Sequence, residues 1–261
     1  MPAEAKHILV TGGARGIGRE IARSFVSRGE RLSILDIDLI SHLEFGGDEL
    51  RTLDEEFRPM GVELECREVD LVDQFSVERA LAELQSLQGA VDILVCNAGG
   101  GSGSIFENRA SLMTNQSLDD SLHKNLYSAI NVCRACIPAM KKAGRGSIIL
   151  MSSLNGLAAL PTGSYAHYGV AKAALIQYGK YLARDLGEFG IRVNIVAPGP
   201  ISTPRLAQRY LADSIPMKAD NAALGCWGTP KDVAGVARFL GSDAAGHITG
   251  QVFSVDGGVL V

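Results

Sequence analysis

The sequence contains no run of apolar residues long enough to cross a membrane. Nowhere in its 261 residues do about 18 consecutive apolar side chains occur, which is the length that predicts a spanning helix. The segment before His7 also has neither the basic start nor the apolar core of a secretory signal. These absences predict a cytoplasmic protein with no membrane partner.

A concentration of charge of one sign is also absent. The formal net charge is −4, from 25 basic and 29 acidic residues, and the two signs are interspersed along the chain. Proteins that bind nucleic acid present a clustered basic face to the phosphate backbone. We therefore expect no nucleic-acid partner.

Cysteine is scarce and odd in number. The five cysteines lie among hydrophobic residues, which is typical of reduced thiols in a cytosol and not of a disulfide framework. Cys133 and Cys136 form a C-x-x-C motif, but no second cysteine pair or histidine cluster lies nearby. Buried packing is therefore favoured over a zinc or redox site, and no metal is predicted.

Short β-branched runs alternate with longer segments of helical period. The runs are HILV, RLSIL, VELECREV, VDILVC, GSIILMS, IRVNIVA and QVFSV, and the predicted helices cover 17–28, 48–60, 75–88, 118–142, 165–187, 204–213 and 230–240. Strands separated by helices pair in parallel. We expect one α/β domain over residues 1–261, a Rossmann-like doubly wound parallel sheet of about seven strands with helices on both faces.

Ligands of such sheets bind beyond the carboxyl ends of the strands, and the first of these turns reads TGGARGIG. Glycines allow the backbone to approach a diphosphate, and the following helix offers unpaired N–H groups. A P-loop is disfavoured, because Arg19 and Glu20 stand where it requires Lys-Ser/Thr. The spacing of Gly12, Gly16 and Gly18 resembles the T-G-x-x-x-G-x-G turn of the short-chain dehydrogenase/reductase family.

The segment SYAHYGVAK holds the candidate catalytic base. Tyr168 has a lysine four positions later, Lys172, and residues i and i+4 share one face of a helix. A phenol has a pKa of about 10. An ammonium about 4 Å away, at an effective dielectric near 20, would contribute on the order of 4 kcal/mol, or roughly three pKa units. We therefore expect Lys172 to bring Tyr168 near neutral pH, where it can exchange a proton with an alcohol.

The resemblance extends to this segment, since Tyr168 and Lys172 match the family's Y-x-x-x-K and follow an S-S-x-x-G segment. It implies that Ser153 orients the substrate oxygen, with Ser152 as the alternative, and that Asn125 anchors a water relay to Lys172. Pairing Ser152 with Tyr165 would restore the family's usual spacing, but Tyr165 has glycine four positions later.

The resemblance also implies a dinucleotide cofactor. Asp36, at the end of the second strand, would bind the adenosine ribose and repel a 2′-phosphate, which favours NAD over NADP. Arg15 argues the other way, because family members that use NADP often carry a basic residue there. The implied cofactor contacts are Gly12, Arg15, Gly16, Ile17, Gly18, Asp36, Asp70, Leu71, Asn97, Ala98, Gly99, Tyr168, Lys172, Pro198, Gly199, Ile201 and Thr203.

These features predict an NAD-dependent oxidoreductase that transfers hydride reversibly between NAD and a hydrophobic, aromatic or cyclic, secondary alcohol or ketone. The resemblance also implies a homo-oligomer (tetramer or dimer). A substrate lid is expected within 200–226. The predicted substrate pocket consists of Leu154, Leu160, Tyr165, Leu206 and Tyr210, together with Met217 and Trp227.

Other functions stay open. Arg205, Arg209 and Lys218 could select a carboxylate or a carrier-bound acyl group, as in a 3-oxoacyl-thioester reductase using NADPH. A catalytically silent nucleotide sensor would bind NAD without needing Tyr168. A serine hydrolase using Ser153 and His167 is disfavoured, because no G-x-S-x-G occurs at a strand-to-helix turn.

Overall fold

The computed structural model describes residues 5–27, 29–44, 51–212 and 221–261. Seven parallel strands form one sheet in the order β3-β2-β1-β4-β5-β6-β7. The strands are β1 (His7–Thr11), β2 (Arg31–Asp36), β3 (Glu63–Glu68), β4 (Ile93–Cys96), β5 (Gly146–Met151), β6 (Ile191–Pro198) and β7 (Val252–Val255). The prediction of a Rossmann-like doubly wound sheet is confirmed.

Helices connect successive strands in the part of the chain that the structure describes. They are α1 (Gly16–Phe25), α2 (Leu53–Phe57), α3 (Gln74–Gln88), α4 (Asn115–Leu122), α5 (Ser128–Ala143), α6 (Ala166–Leu186), α7 (Pro204–Ala212) and α8 (Pro230–Gly241). A π-helical turn, His123–Tyr127, joins α4 to α5.

The predicted helix boundaries differ from the structure at several ends. The helix expected over 48–60 begins only at Leu53, because the Thr52 side chain accepts a hydrogen bond from the Glu55 N–H and caps the helix there. Residues 48–50 of that prediction lie outside the described residues. The helix expected over 17–28 ends at Phe25, and the one expected over 118–142 begins at Asn115 and is divided by the π-helical turn.

Each face of the sheet carries its own hydrophobic core. One core packs α3, α5 and α6 against the sheet through Leu81, Cys133 and Leu175, and the other packs α1 and α8 through Ile21 and Val233. Burial of this kind is the main stabilising contribution in such a domain. Cys133 and Cys136 are fully buried in the first core, which confirms the packing interpretation of the C-x-x-C motif.

The strand register brings the functional loops together. Thr11 is paired with Cys96, Cys96 with Leu150, and Leu150 with Ile195, so the four central strands end nearly level. The loops that follow β1, β4, β5 and β6 therefore lie side by side at one edge of the sheet. Within the described ranges, no helix has the length and hydrophobicity needed to cross a bilayer.

Candidate active site

A cleft of about 450 Å³ lies at this edge of the sheet. It is lined by all of the residues predicted for cofactor binding, from Gly12 in the first turn to Thr203 after β6. Ser153 also lines the cleft, beside Tyr168 and Lys172. The structure thus gathers residues from the carboxyl ends of six strands, β1 to β6, around one space.

The first turn forms a backbone cradle at one wall of the cleft. Gly12 has φ +65°, and a Cβ built on it would lie 2.8 Å from the Ala98 Cα. A Cβ on Gly18 would lie 2.0 Å from the Gly12 carbonyl oxygen. The Asn97 Nδ2 ties the turn to β4 by donating to the Gly12 oxygen over 2.9 Å. The cradle suits the close approach of a dinucleotide diphosphate at the start of α1.

Asp36 ends β2 beside this cradle. Its carboxylate accepts hydrogen bonds from the N–H of Ala14 over 3.0 Å and of Ile37 over 2.8 Å. Burial raises the pKa of Asp36, against the lowering effect of these backbone bonds and of the Arg15 charge. The positive charge of Arg15 therefore offsets part of the negative charge of the Asp36 carboxylate.

The two serines after β5 have different contacts. The Ser152 hydroxyl is buried and donates to the Lys172 carbonyl over 2.9 Å. Ser153 begins a short 3₁₀ turn, where its hydroxyl accepts from the Asn155 N–H over 3.2 Å, and its hydrogen-bonding effect lowers the pKa of the Tyr168 phenol. Ser153 is therefore the serine that faces the predicted base.

We expected Lys172 to lower the pKa of Tyr168, and this expectation was wrong in direction. Burial raises the pKa of Tyr168 to about 12, and the Ser153 hydrogen bond opposes this effect. Burial likewise lowers the pKa of Lys172 to about 7. The Lys172 Nζ donates to the Met151 carbonyl over 2.7 Å and lies 5.8 Å from the centroid of the Tyr168 ring. The sequence-based expectation omitted the desolvation of both groups.

Asn125 lies in the π-helical turn and is buried. Its Oδ1 accepts from the Gly100 N–H over 2.8 Å, and its Nδ2 donates to the Ser121 carbonyl over 3.0 Å. A Cβ on Gly99 would lie 2.6 Å from that Oδ1. Asn125 therefore braces the loop after β4, and the π-helical turn, a feature often found at functional sites, sets its direction.

The predicted substrate pocket is only partly reproduced. Leu206 lines the cleft, whereas the other described members of the predicted pocket do not: Leu154, Leu160, Tyr165, Tyr210 and Trp227. Tyr165 lies behind Tyr168, with ring centroids 5.2 Å apart, and Tyr210 packs against Trp227 at 4.9 Å. Leu154 and Leu160 are half-buried in the loop that precedes α6. Met217 and Lys218 lie outside the described residues.

Helix α7, which lies within the segment predicted to form a lid, contributes two arginines that the sequence suggested only for an alternative substrate. The Arg209 Nη1 donates to the Tyr165 hydroxyl over 2.5 Å, and its Nη2 donates to the Gly101 carbonyl over 2.6 Å. The Arg205 Nη2 donates to the same carbonyl over 3.1 Å.

The lining residues that were missed from the sequence include Gly100, Gly101 and Lys124. The glycine run after CNAG and the lysine directly before Asn125 were the available signals.

Comparison with known proteins gives consistent matches along the chain. A family model described as enoyl-(acyl carrier protein) reductase matches residues 12–260. The cyclohexanol dehydrogenase of Rhodococcus sp. (strain TK6) is 41% identical over 263 residues, which is 99% of this chain and 97% of that protein.

Two solved structures extend the comparison to the fold. The structure of ElxO with NADP bound has a TM-score of 0.86 at 25% identity and covers 98% of this chain and 99% of its own. A 3-oxoacyl-[acyl-carrier protein] reductase with bound NAD from Brucella melitensis has a TM-score of 0.81 at 30% identity, covering 98% of this chain and 91% of its own.

Proposed function

Since the chain belongs to the short-chain dehydrogenase/reductase family, we propose that it catalyses reversible hydride transfer between NAD and a hydrophobic, cyclic secondary alcohol or ketone. The observation that carries this proposal is the grouping of Ser153, Tyr168 and buried Lys172 in the same cleft as the glycine cradle. A proton-transfer pair and a nucleotide-sized cradle are the two parts that such a reaction needs.

The residues of the site have distinct roles in this proposal. Ser153 donates a hydrogen bond to the substrate oxygen, and the Tyr168 phenol exchanges a proton with that oxygen. The charges of Arg209 and Arg205 lower the pKa of Tyr168 against the larger effect of burial. Lys172 fixes the end of β5 through the Met151 carbonyl, and Asn125 holds the loop after β4. When bound, the dinucleotide supplies the hydride acceptor or donor.

We assign NAD as the cofactor on the position of Asp36. A carboxylate at the end of β2 can accept hydrogen bonds from a ribose hydroxyl and repels a 2′-phosphate. Arg15, the residue that would favour NADP, interacts with Asp36 through its charge. The two solved relatives described above carry different cofactors, so similarity alone does not select one.

The proposed substrate class is based on similarity to a known alcohol dehydrogenase and on a residue of α7 that lines the cleft. Cyclohexanol dehydrogenase from Rhodococcus is a relative over nearly the whole length, and Leu206 offers an apolar contact at the substrate end. We propose that 200–226, which includes α7, acts as the substrate lid. The second candidate is a 3-oxoacyl-thioester reductase using NADPH. The Brucella melitensis relative supports this substrate class but not this cofactor, since it has NAD bound.

The remaining alternatives have less support. For a serine hydrolase, Ser153 would have to be activated by His167, but that imidazole interacts with the Ser102 backbone and packs on Tyr165 at 5.0 Å. A catalytically silent nucleotide sensor would not need Ser153 and Tyr168 together in the cleft.

The test compares cyclohexanol with NAD, cyclohexanol with NADP, and an acetoacetyl thioester with NADPH, followed at the absorbance band of the reduced cofactor. We expect the first pair to be preferred. Tyr168→Phe should lower kcat by at least about 10³-fold while NAD binding, measured by calorimetry, is retained. Tyr181→Phe, an exposed tyrosine on the same helix, is the control. Full activity of Tyr168→Phe would overturn the proposal.

We also propose that the protein is a homo-oligomer, a tetramer or dimer. β7 lies at the edge of the sheet and pairs only with β6 in the described chain. An edge strand of this kind is suited to a subunit contact. Light scattering measures the assembly, and a monomer at micromolar concentration would contradict this proposal.

A further inference from the structure

Positive charge is concentrated at the substrate end of the cleft. Lys124, Arg205 and Arg209 line it there, in addition to Arg15 at the glycine cradle. Burial lowers the pKa of Lys124 and of Arg205, and repulsion from the neighbouring cations lowers both further. These side chains are therefore held close together in spite of their like charge.

Negative charge does not balance this cluster within the described part of the chain. The carboxylates in the lining, Asp36 and Asp70, follow β2 and β3 at the opposite side of the cleft. No ion pair between described residues involves Lys124, Arg205 or Arg209. Two half-buried arginines and an exposed lysine that have no carboxylate partner among the described residues form a site suited to an anionic ligand.

The two arginines are held in fixed positions. Both donate to the Gly101 carbonyl, and Arg209 also donates to the Tyr165 hydroxyl. A Cβ on Gly101 would lie 1.5 Å from that hydroxyl, so the arrangement requires glycine at this position. Tyr165 itself is buried with φ 60°, an uncommon conformation for a residue with a side chain. Such preorganisation lowers the entropy lost when a ligand binds.

The cluster lies next to the reacting atoms. The Tyr165 ring is 5.2 Å from the Tyr168 ring, and the charges of Arg205 and Arg209 act on the Tyr168 phenol. An anion bound by these arginines would therefore be part of the molecule whose carbonyl faces Tyr168.

We propose that Arg205 and Arg209, assisted by Lys124, form a subsite for a carboxylate on the substrate, so that the preferred substrates are hydroxy acids and oxo acids. This inference rests on the proposed function. A guanidinium binds a carboxylate through two parallel N–H···O bonds. The cofactor phosphates are the other source of anionic oxygen, but the glycine cradle and Arg15 already offer them donors at the start of α1.

The test uses 3-oxocyclohexanecarboxylate and its methyl ester, which differ in charge but share the ring and ketone. We expect the wild type to use the carboxylate with a kcat/KM at least about tenfold higher. Arg205→Gln should bring this ratio close to one. Arg184→Gln, an exposed arginine on α6, should leave the ratio unchanged. Equal use of both compounds by the wild type overturns the subsite. A raised KM for the cofactor in Arg205→Gln, with the ratio intact, assigns the cations to cofactor phosphate instead.

A binding measurement separates this inference from the proposed activity. Trp227 is the only tryptophan and packs on Tyr210 of α7, so its fluorescence reports on this helix. With saturating NAD present, cyclohexanecarboxylate should change the emission, and Arg205→Gln should weaken the apparent affinity at least about tenfold. If no alcohol or ketone is turned over, the proposed function fails while this titration still tests the subsite. If the wild type does not bind cyclohexanecarboxylate, the proposed subsite is overturned.

Discussion

The Ser152 hydroxyl donates a hydrogen bond to the backbone carbonyl of Lys172 over 2.9 Å. This bond joins the loop after β5 to α6, the helix that carries both Tyr168 and Lys172. Ser152 therefore supports the position of the helix, while the adjacent Ser153 lines the cleft together with Tyr168. We therefore propose a structural role for Ser152 and a chemical role for Ser153.

Replacing each serine should separate these roles. Ser153→Ala removes the hydroxyl that orients the substrate oxygen, and we expect kcat to fall about 10²-fold or more with little change in stability. Ser152→Ala removes a buried hydrogen bond and should cost about 1 kcal/mol in the free energy of unfolding while leaving most of kcat. Steady-state kinetics and urea denaturation measure the two effects. The reverse pattern would show that Ser152 is the catalytic serine.

Asp36→Asn tests the cofactor assignment with little change in shape. The amide keeps an oxygen acceptor for the Ala14 N–H but removes the negative charge. We expect the ratio of kcat/KM for NADP to that for NAD to rise roughly 10- to 100-fold, as expected for losing one like-charge repulsion of about 1–3 kcal/mol. Kinetics with both cofactors at a fixed alcohol concentration provide the ratio. A wild-type preference for NADP would refute the assignment.

Lys172 should make stability depend on pH in a defined direction. Burial lowers its folded-state pKa from 10.5 to about 7, so between these values the unfolded chain binds a proton that the folded chain does not. The resulting destabilisation is complete below about pH 7 and is relieved as the pH rises toward about 10.5. Wild-type stability should therefore increase with pH relative to Lys172→Met.

Urea denaturation of wild type and Lys172→Met near pH 6.5 and near pH 9.5 measures this difference. Lys172→Met should also be catalytically impaired, because it lacks the amine that binds the Met151 carbonyl. Parallel pH dependence of the two proteins would mean that Lys172 has an ordinary pKa in the folded state.

Gly101→Ala should damage the site more than the fold. The new Cβ would lie 1.5 Å from the Tyr165 hydroxyl, so Tyr165 and the Arg209 bound to it must move. We expect kcat/KM to fall at least about tenfold. Gly235→Ala, in α8 where a Cβ meets nothing within 4 Å, is the matched control and should stabilise the protein by about 0.5–1 kcal/mol. Unchanged kinetics in Gly101→Ala would count against the position assigned to Arg209.

Much of the fold could be predicted from local patterns. Each β-branched run became a strand, because alternating apolar runs and helical periods specify parallel pairing with helices on both faces. The i, i+4 spacing of Tyr168 and Lys172 was enough to put them on one helix. The glycines of the first turn were also informative, since positive φ at Gly12 and the close approach at Gly18 both require a missing Cβ.

Other features of the site depend on contacts between distant parts of the chain. The Arg209–Gly101 bond joins residues 108 positions apart, and neither short motif contains information about the other. The π-helical turn at Asn125 interrupts a segment whose spacing reads as continuous helix. The pKa of Tyr168 moved against expectation, because burial is the largest influence on the phenol, as it is on Lys172.

The residues and their spacing were thus sufficient to predict the parallel α/β sheet, the glycine cradle and the tyrosine–lysine pair. These features depend on local geometry and on hydrophobic periodicity, which act within a few positions of each residue. Folding of the whole chain determined which serine faces the phenol, how strongly the buried amine and phenol are desolvated, and which cations surround them. Desolvation and charge interactions depend on everything within several ångströms in space, and that neighbourhood exists only once distant segments have packed together.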